Sequence, residues 1–122
     1  MATKKTHKDL DVWQAAVAVA ERTYRLTRTF PRDEMFGLTA QMRRSSVSIA
    51  SNIAEGAARR GAKEFIQFLY VAAGSASELD TQLEIASRIG LGKPDEVERA
   101  QTEVSRVAMM LQGLIRSLRP RA

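Results

Sequence analysis

The fold is decided by one stretch of the sequence, Arg43-Arg44-Ser45-Ser46-Val47-Ser48-Ile49-Ala50-Ser51-Asn52-Ile53-Ala54-Glu55-Gly56. Its apolar residues recur at helical spacing, but serines and an asparagine interrupt them on every side. The stretch begins with two arginines and ends with a glycine. A helix of this composition has neither a clean solvent face nor a clean core face. We therefore expect it to pack on several sides or to bind a ligand.

Helical spacing extends outward from this run in both directions. It predicts four helices with short breaks between them, over residues 9–29, 33–56 and 62–89 and from residue 94 onward. Pro31 ends the first helix because proline disfavours helical geometry in the preceding residue, and Pro94 suits the first position of the fourth. Asp9 and Asp33 are the expected N-caps of the first two helices. Strand signals are few, so the predicted fold class is all-α, an antiparallel up-down-up-down four-helix bundle.

The 122 residues are enough for one domain with a single core. Residues 1–8 are expected to form a flexible arm, and residues 119–122 a flexible tail. Cysteine is absent, which excludes disulfides and thiolate metal sites. The basic start lacks the apolar segment of a secretory signal, and no apolar run approaches the roughly 20 residues that span a bilayer. We therefore expect a cytoplasmic protein with no membrane segment.

The same spacing predicts which helix faces are buried. In the first helix the expected core stripe is Leu10, Trp13, Val17, Ala20, Tyr24 and Thr27. A narrower second stripe, Val12, Val19 and Leu26, is expected to be free to meet another subunit. Close approach of the second and third helices is expected at the small residues Ser45, Ser48, Gly74 and Ser75. The aromatic side chains are expected mainly at core or interface positions: Trp13, Tyr24, Phe36, Phe65, Phe68 and Tyr70.

The sequence gives little support for enzyme chemistry. Its one histidine, His7, lies in the expected arm, where we predict a solvated side chain. The paired Glu-x-x-His motifs of di-iron bundles are missing, as are a Walker loop and a Rossmann glycine pattern. Ser51 and Glu55 share a helix face, which permits a catalytic interpretation. The favoured interpretation is structural, with Ser48, Ser51, Asn52 and Glu55 as polar groups that fix helix register. We predict a non-enzymatic protein with no metal and no cofactor.

The positive charge is concentrated in the first half of the chain. Residues 1–63 carry 12 Lys and Arg against 6 Asp and Glu, whereas residues 64–122 carry 7 against 8. A basic half suits a polyanionic partner such as RNA or DNA. The predicted nucleic-acid-binding residues are Arg22, Arg25, Arg28, Arg43, Arg44, Arg59, Arg60 and Lys63. The alternatives are a solvated face, ion pairs with Glu21, Glu55 or Glu64, and, for Arg43, a structural role beside the polar stripe.

The order and spacing of several short motifs resemble a known family, the four-helix bundle proteins associated with intervening sequences of bacterial large-subunit ribosomal RNA genes. The matching residues are Asp9-Leu10, Val12-Trp13-Gln14, Phe30-Pro31, Phe36-Gly37-Leu38-Thr39, Gln41, Arg43-Arg44, Val47-Ser48-Ile49, Ser51-Asn52-Ile53-Ala54-Glu55-Gly56, Glu64-Phe65, Phe68-Leu69, Gly74-Ser75 and Glu78-Leu79. Two departures are Ala50, where family members often have proline, and Gly61, where they tend to have Ser or Thr as the cap of the third helix.

The resemblance implies a compact four-helix bundle that assembles as a homopentamer. The chain is also similar to the accessory variability determinant of diversity-generating retroelements, a basic pentameric bundle that works with reverse transcriptase and RNA. Two functions follow as hypotheses. The first is an oligomeric accessory protein that binds nucleic acid, and the second is a protein-interaction scaffold whose basic residues serve only solubility or oligomer contacts.

Overall fold

Four helices account for most of the chain in a computed structural model, which describes residues 6–120. They are α1 (Asp11–Thr27), α2 (Leu38–Ala57), α3 (Ala62–Arg88) and α4 (Pro94–Leu118). Each packs against its neighbours in the sequence, and α1 also packs against α4, which closes the bundle. The predicted all-α four-helix class is confirmed. No helix within residues 6–120 has the length and apolar character needed to cross a membrane.

The starts of α1 and α2 differ from the prediction. Asp9 is not the N-cap of α1, because its carboxylate closes a 3-10 turn by accepting a hydrogen bond from the Thr6 backbone N–H at 2.9 Å. Asp33 also lies in a 3-10 turn, Arg32–Glu34, and α2 begins only after Gly37. There Glu34 Oε1 accepts a hydrogen bond from the Leu38 N–H at 3.3 Å. Residues 1–5 of the predicted flexible arm and residues 121–122 of the predicted tail lie outside the described residues. His7 and Lys8 of the arm belong to the 3-10 turn.

The core face of α1 matches the prediction only in part. Thr27 is buried, and Leu10 and Trp13 pack half-buried against the core, but a second stripe of the helix is buried more completely. The buried side chains of α1 are Val12, Ala16, Val19, Thr23, Leu26 and Thr27. The stripe expected to meet another subunit is therefore the core stripe, while Tyr24 on the other stripe is 38% exposed. Thr23 Oγ1 donates to the Val19 carbonyl oxygen at 2.8 Å, and Thr27 Oγ1 donates to that of Thr23 at 2.7 Å. Because the helix itself satisfies these hydroxyls, they can be buried beside aliphatic side chains.

Helices α2 and α3 approach each other closely at Gly56, which is buried one residue before the end of α2. A Cβ at this position would lie 2.7 Å from Phe68 Cβ and 2.9 Å from Phe65 Cδ1. Further along the pair, the hydroxyls of Ser48 and Ser75 are 2.8 Å apart. Gly74 does not mark a close approach, since a Cβ there would meet nothing within 4 Å. The prediction for Gly74 was therefore wrong, and Gly56 takes that role.

The last two helices are joined by a tight turn and a polar contact. Gly90 and Gly92 have φ values of 79° and 73°, which side chains other than glycine rarely adopt. Pro94 occupies the first turn of α4, as predicted. Hydrogen bonds from Arg88 on α3 and Gln101 on α4 reach the Glu84 carboxylate at 2.9 and 3.2 Å and lower its pKa.

Candidate nucleic-acid interface

The cationic side chains fall into two groups on the bundle. The first, called the arginine face here, consists of Arg25, Arg28, Arg32, Arg43 and Arg44 on α1, the following turn and α2. The second, called the turn cluster, consists of Arg59, Arg60 and Lys63 at the connection between α2 and α3. Arg43 and Arg59 are 16 positions apart in the sequence, which corresponds to about 24 Å along a helix. The structure thus separates the predicted binding residues into two surfaces.

Arg22 belongs to neither group because its side chain pairs with a glutamate on α4. Its Nε lies 2.7 Å from Glu103 Oε2 on α4, and both side chains are about one-third exposed. The hydrogen bond to Glu103 raises the pKa of Arg22, and desolvation opposes this shift only in part. Arg22 therefore ties α1 to α4 through its Nε, and its role in nucleic-acid binding stays a prediction.

The arginine face lines three adjoining grooves. Arg25 and Arg28 line a groove of about 380 Å³ on α1. Arg28, Arg32 and Arg43 line a second of about 420 Å³, and Arg43 and Arg44 a third of about 780 Å³. Within residues 6–120 the ion pairs are Arg22–Glu103, Arg59–Glu55 and Arg88–Glu84, so none of the five arginines is neutralised by a carboxylate in contact.

Arg43 is the half-buried, fixed member of the arginine face. Its Nε donates to Thr27 Oγ1 at 2.9 Å, and its guanidinium lies 4.6 Å from the centre of the Tyr24 ring. Cation–π stacking of this kind orients the planar group and leaves its other N–H donors available. Arg43 therefore has the structural role that the sequence left open, and it also lines two of the grooves.

The turn cluster is partly occupied by contacts of its own. Arg59 donates to Glu55 Oε1 at 2.9 Å, and its guanidinium lies 4.8 Å from the centre of the Phe68 ring. The ion pair with Glu55 is one of the alternatives that the sequence suggested. Arg60 and Lys63 are exposed, as is Gly61, which caps α3 without a side-chain hydrogen bond.

The four predicted structural polar residues behave differently from one another. Ser48 joins α2 to α3 through Ser75, as expected for a residue that fixes register. Asn52 donates to the Ser48 carbonyl oxygen and hydroxyl at 2.8 and 3.0 Å, so its contacts stay within α2. Ser51 and Glu55 are exposed on the outer side of α2, contrary to the expectation of packed positions. Helix α2 thus packs on the sides that face α1 and α3, and its outward side is open to solvent.

Two aromatic residues predicted at core or interface positions are outside the core, and His7 and Arg32 differ from the prediction. Phe36 is 93% exposed and Tyr70 is 46% exposed, so neither lies in the core of the single chain. His7 is half-buried, with its ring 5.1 Å from that of Trp13 in an edge-on arrangement, where a solvated side chain was expected. Arg32 was missed as a member of the basic surface. The available signal was its position four residues after Arg28, just beyond the Pro31 turn.

Fold and surface together define an all-α four-helix bundle with a basic face across its first two helices. The chain belongs to the 23S rRNA-intervening sequence protein family, whose model matches residues 8–113. It is also similar to a crystal structure of a protein of unknown function from the S23 ribosomal protein family of Bacteroides thetaiotaomicron. The two share 23% identity and a TM-score of 0.77, over 85% of this chain and 97% of that one. No curated protein matches the chain. Similarity to the accessory variability determinant stays a prediction.

Proposed function

We propose that the chain is a non-enzymatic, oligomeric accessory protein that binds RNA or another nucleic acid through the arginine face. The observation that carries this proposal is the set of five arginines along three adjoining grooves, none of them in an ion pair within residues 6–120. Phosphate oxygens need little more than positioned cations, and such contacts set the register of a protein on its nucleic acid. Membership of a family described by its association with 23S rRNA intervening sequences agrees with an RNA partner.

The first experiment measures binding of the purified chain to labelled structured RNA and to duplex DNA at two salt concentrations. The test variant is Arg28→Gln/Arg32→Gln/Arg44→Gln, which neutralises three exposed members of the arginine face and spares the packed Arg43. We expect weaker binding and a salt dependence shallower by about two in its logarithmic slope, because each lost phosphate contact removes about 0.7–0.9.

The matched control neutralises three exposed arginines of α4, in the variant Arg99→Gln/Arg106→Gln/Arg116→Gln. This variant changes the net charge by the same amount as the test variant. Comparing the two therefore distinguishes a local binding surface from a general effect of charge. Neutralising the turn cluster should weaken binding less, since Arg59 already pairs with Glu55. Salt-insensitive binding by the wild type, or equal losses in the α1–α2 and α4 variants, would contradict the proposal.

A protein-interaction scaffold is the second candidate function, and one observation favours it. Phe36 is 93% exposed beside Met35, which is 49% exposed, in the segment before α2. An aromatic ring this exposed contributes little to the stability of the single chain but suits the centre of a protein interface. Phe36→Ser should leave the melting temperature unchanged and abolish capture of a protein partner. A partner that remains bound after nuclease treatment would favour the scaffold, and one lost on that treatment would favour nucleic acid.

A further inference from the structure

The largest groove of the arginine face carries chemistry that phosphate binding alone does not use. It crosses the open side of α2 between α1 and α3, and its volume of about 780 Å³ lies within the range of roughly 300–1,000 Å³ of ligand sites. Arg43 and Arg44 contribute positive charge on the α2 side. Glu78 and Gln82 line the α3 side. A purely phosphate-binding groove has no use for a carboxylate, which repels the ligand.

The α3 side of this groove presents two hydrogen-bond acceptors, the exposed Glu78 carboxylate and the buried Gln82 amide oxygen. Glu78 accepts one hydrogen bond, from Ser45 Oγ at 3.3 Å, and it has no cationic partner within residues 6–120. Gln82 is only 6% exposed, and its amide oxygen has no hydrogen-bond donor among the described residues. The Glu78 carboxylate is exposed and accepts from water as well as from Ser45, whereas the Gln82 oxygen is both buried and unpaired, so an incoming N–H group that reaches this oxygen gains free energy.

A ligand that satisfies both sides of the groove has negative charge next to a pair of N–H donors. Among nucleic-acid bases, guanine alone offers two adjacent donors on its pairing edge, N1–H and the N2 amino group, and these match the two oxygens of a carboxylate. Adenine and cytosine place an amino group beside an acceptor, and uracil places its N–H between two acceptors. In a duplex the pairing edge is already used, so the base must be unpaired.

We propose that this groove binds an unpaired guanine nucleotide, with the guanine edge on Glu78 and Gln82 and its phosphate on Arg43 and Arg44. This inference rests on the proposed nucleic-acid function and gives it a base preference. The guanine belongs either to a loop of an RNA or to a free nucleotide, because both present the same edge and phosphate. Glu78 then acts as the residue that determines base specificity, and the arginines supply affinity without sequence information.

The test uses the full chain and hairpin RNAs that are identical except for one loop nucleotide, which is guanosine, inosine or adenosine. Inosine keeps N1–H and lacks the N2 amino group. We expect the guanosine hairpin to bind about tenfold more tightly than the adenosine hairpin, as one bidentate base contact allows, with inosine between them. Glu78→Gln should remove this preference. Its affinity for the adenosine hairpin should stay the same or rise, because a repulsive charge has been lost.

The matched control is Asp80→Asn, which removes an exposed carboxylate of α3 that does not line this groove. It should retain the full preference for guanosine. A second variant, Gln82→Met, keeps the side-chain volume and removes the unpaired amide, so we expect a higher melting temperature together with a reduced preference. Competition by free guanosine monophosphate but not adenosine monophosphate would identify a free nucleotide as a ligand. Competition by neither would leave the RNA loop as the source of the guanine.

The outcomes separate this inference from the proposed function. If the wild type binds neither RNA nor duplex DNA, the proposed function fails, and if it also fails to bind guanosine monophosphate, the guanine site fails with it. If it binds all three hairpins equally and loses affinity in the Arg28/Arg32/Arg44 variant, the proposed function stands and the guanine preference is overturned. The preference is also overturned if Glu78→Gln and Asp80→Asn behave alike, or if Glu78→Gln changes only the oligomer mass.

Discussion

At the scale of single residues, Gly56 shows how one missing side chain sets the spacing of two helices. A glycine inside a helix ordinarily costs about 1 kcal/mol relative to alanine. At this position the cost is offset by contact, because the Phe65 and Phe68 side chains occupy the space that a Cβ would need. Gly74 lies in α3 with open space around it, so it bears the cost of glycine without this compensation.

These two glycines give a matched pair of substitutions with opposite expected signs. Gly56→Ala should lower the free energy of unfolding by about 1–3 kcal/mol, the usual range for forcing extra atoms into a packed site. Gly74→Ala should raise it by about 0.5–1 kcal/mol through helix propensity alone. Chemical denaturation of both variants under one set of conditions checks the prediction. A stabilised Gly56→Ala variant would show that the helix spacing is set elsewhere.

At the scale of helices, the bundle is closed by a polar contact between its first and last members. Arg22 on α1 and Glu103 on α4 are each about one-third exposed, whereas the Arg59–Glu55 pair is more exposed and lies within the end of α2 and the turn. Partial burial and contact between two helices both strengthen an ion pair relative to one on a solvated surface. Arg22 therefore contributes to the packing of α1 on α4, and we expect it to contribute little to the proposed binding of nucleic acid.

A double-mutant cycle with Arg22→Gln and Glu103→Gln should give a coupling energy of about 0.5–1 kcal/mol. The same cycle with Arg59→Gln and Glu55→Gln should give about 0.3–0.5 kcal/mol, as for exposed pairs four residues apart. Raising the salt concentration should reduce the second coupling more than the first. Arg22→Gln should also leave RNA affinity within twofold of the wild type, and a loss as large as that of the arginine-face variant would contradict the assignment.

For the molecule as a whole, the sequence predicted the elements better than their faces. Proline at 31 and 94 located helix boundaries correctly to within a few residues, since its backbone restriction is local. The core stripe of α1 was partly misassigned because Thr23 looks polar in a sequence, while the Trp13–Tyr24 stripe looks more apolar. Thr27, which the prediction placed in the core, is buried. The hydroxyls of Thr23 and Thr27 donate hydrogen bonds to carbonyl oxygens of their own helix, so burying these side chains leaves no unpaired donor.

The candidate site was predictable in its charges and not in its geometry. Arg43 and Arg44 were identified from their position, but the acceptors opposite them, Glu78 and Gln82, come from a helix about 35 residues further along the chain. Only the packing of α3 beside α2 brings these groups together. The register that aligns them depends on Ser45 and Ser48 contacts with α3.

The family resemblance and the exposed apolar side chains lead to a prediction about assembly. Val71 and Ile85 on α3, Ile89 directly after it and Met109 on α4 are between 44% and 71% exposed in the single chain. Covering such side chains in contacts between copies would remove apolar surface from water. We expect light scattering of the purified chain to give the mass of five copies, unchanged by nuclease treatment or by salt that abolishes RNA binding. The mass of a single chain would contradict it.

The contact between Arg22 and Glu103 also bears on the order in which the chain folds, because 81 residues separate its partners in the sequence. Helices α2 and α3 are joined by a connection of only a few residues, so pairing them closes a short loop at low entropic cost. Docking α1 on α4 must wait until both inner helices are placed. We expect the α2–α3 hairpin to form first and the outer helices to dock last, which would leave the amides of α1 and α4 the first to exchange with solvent when the bundle opens.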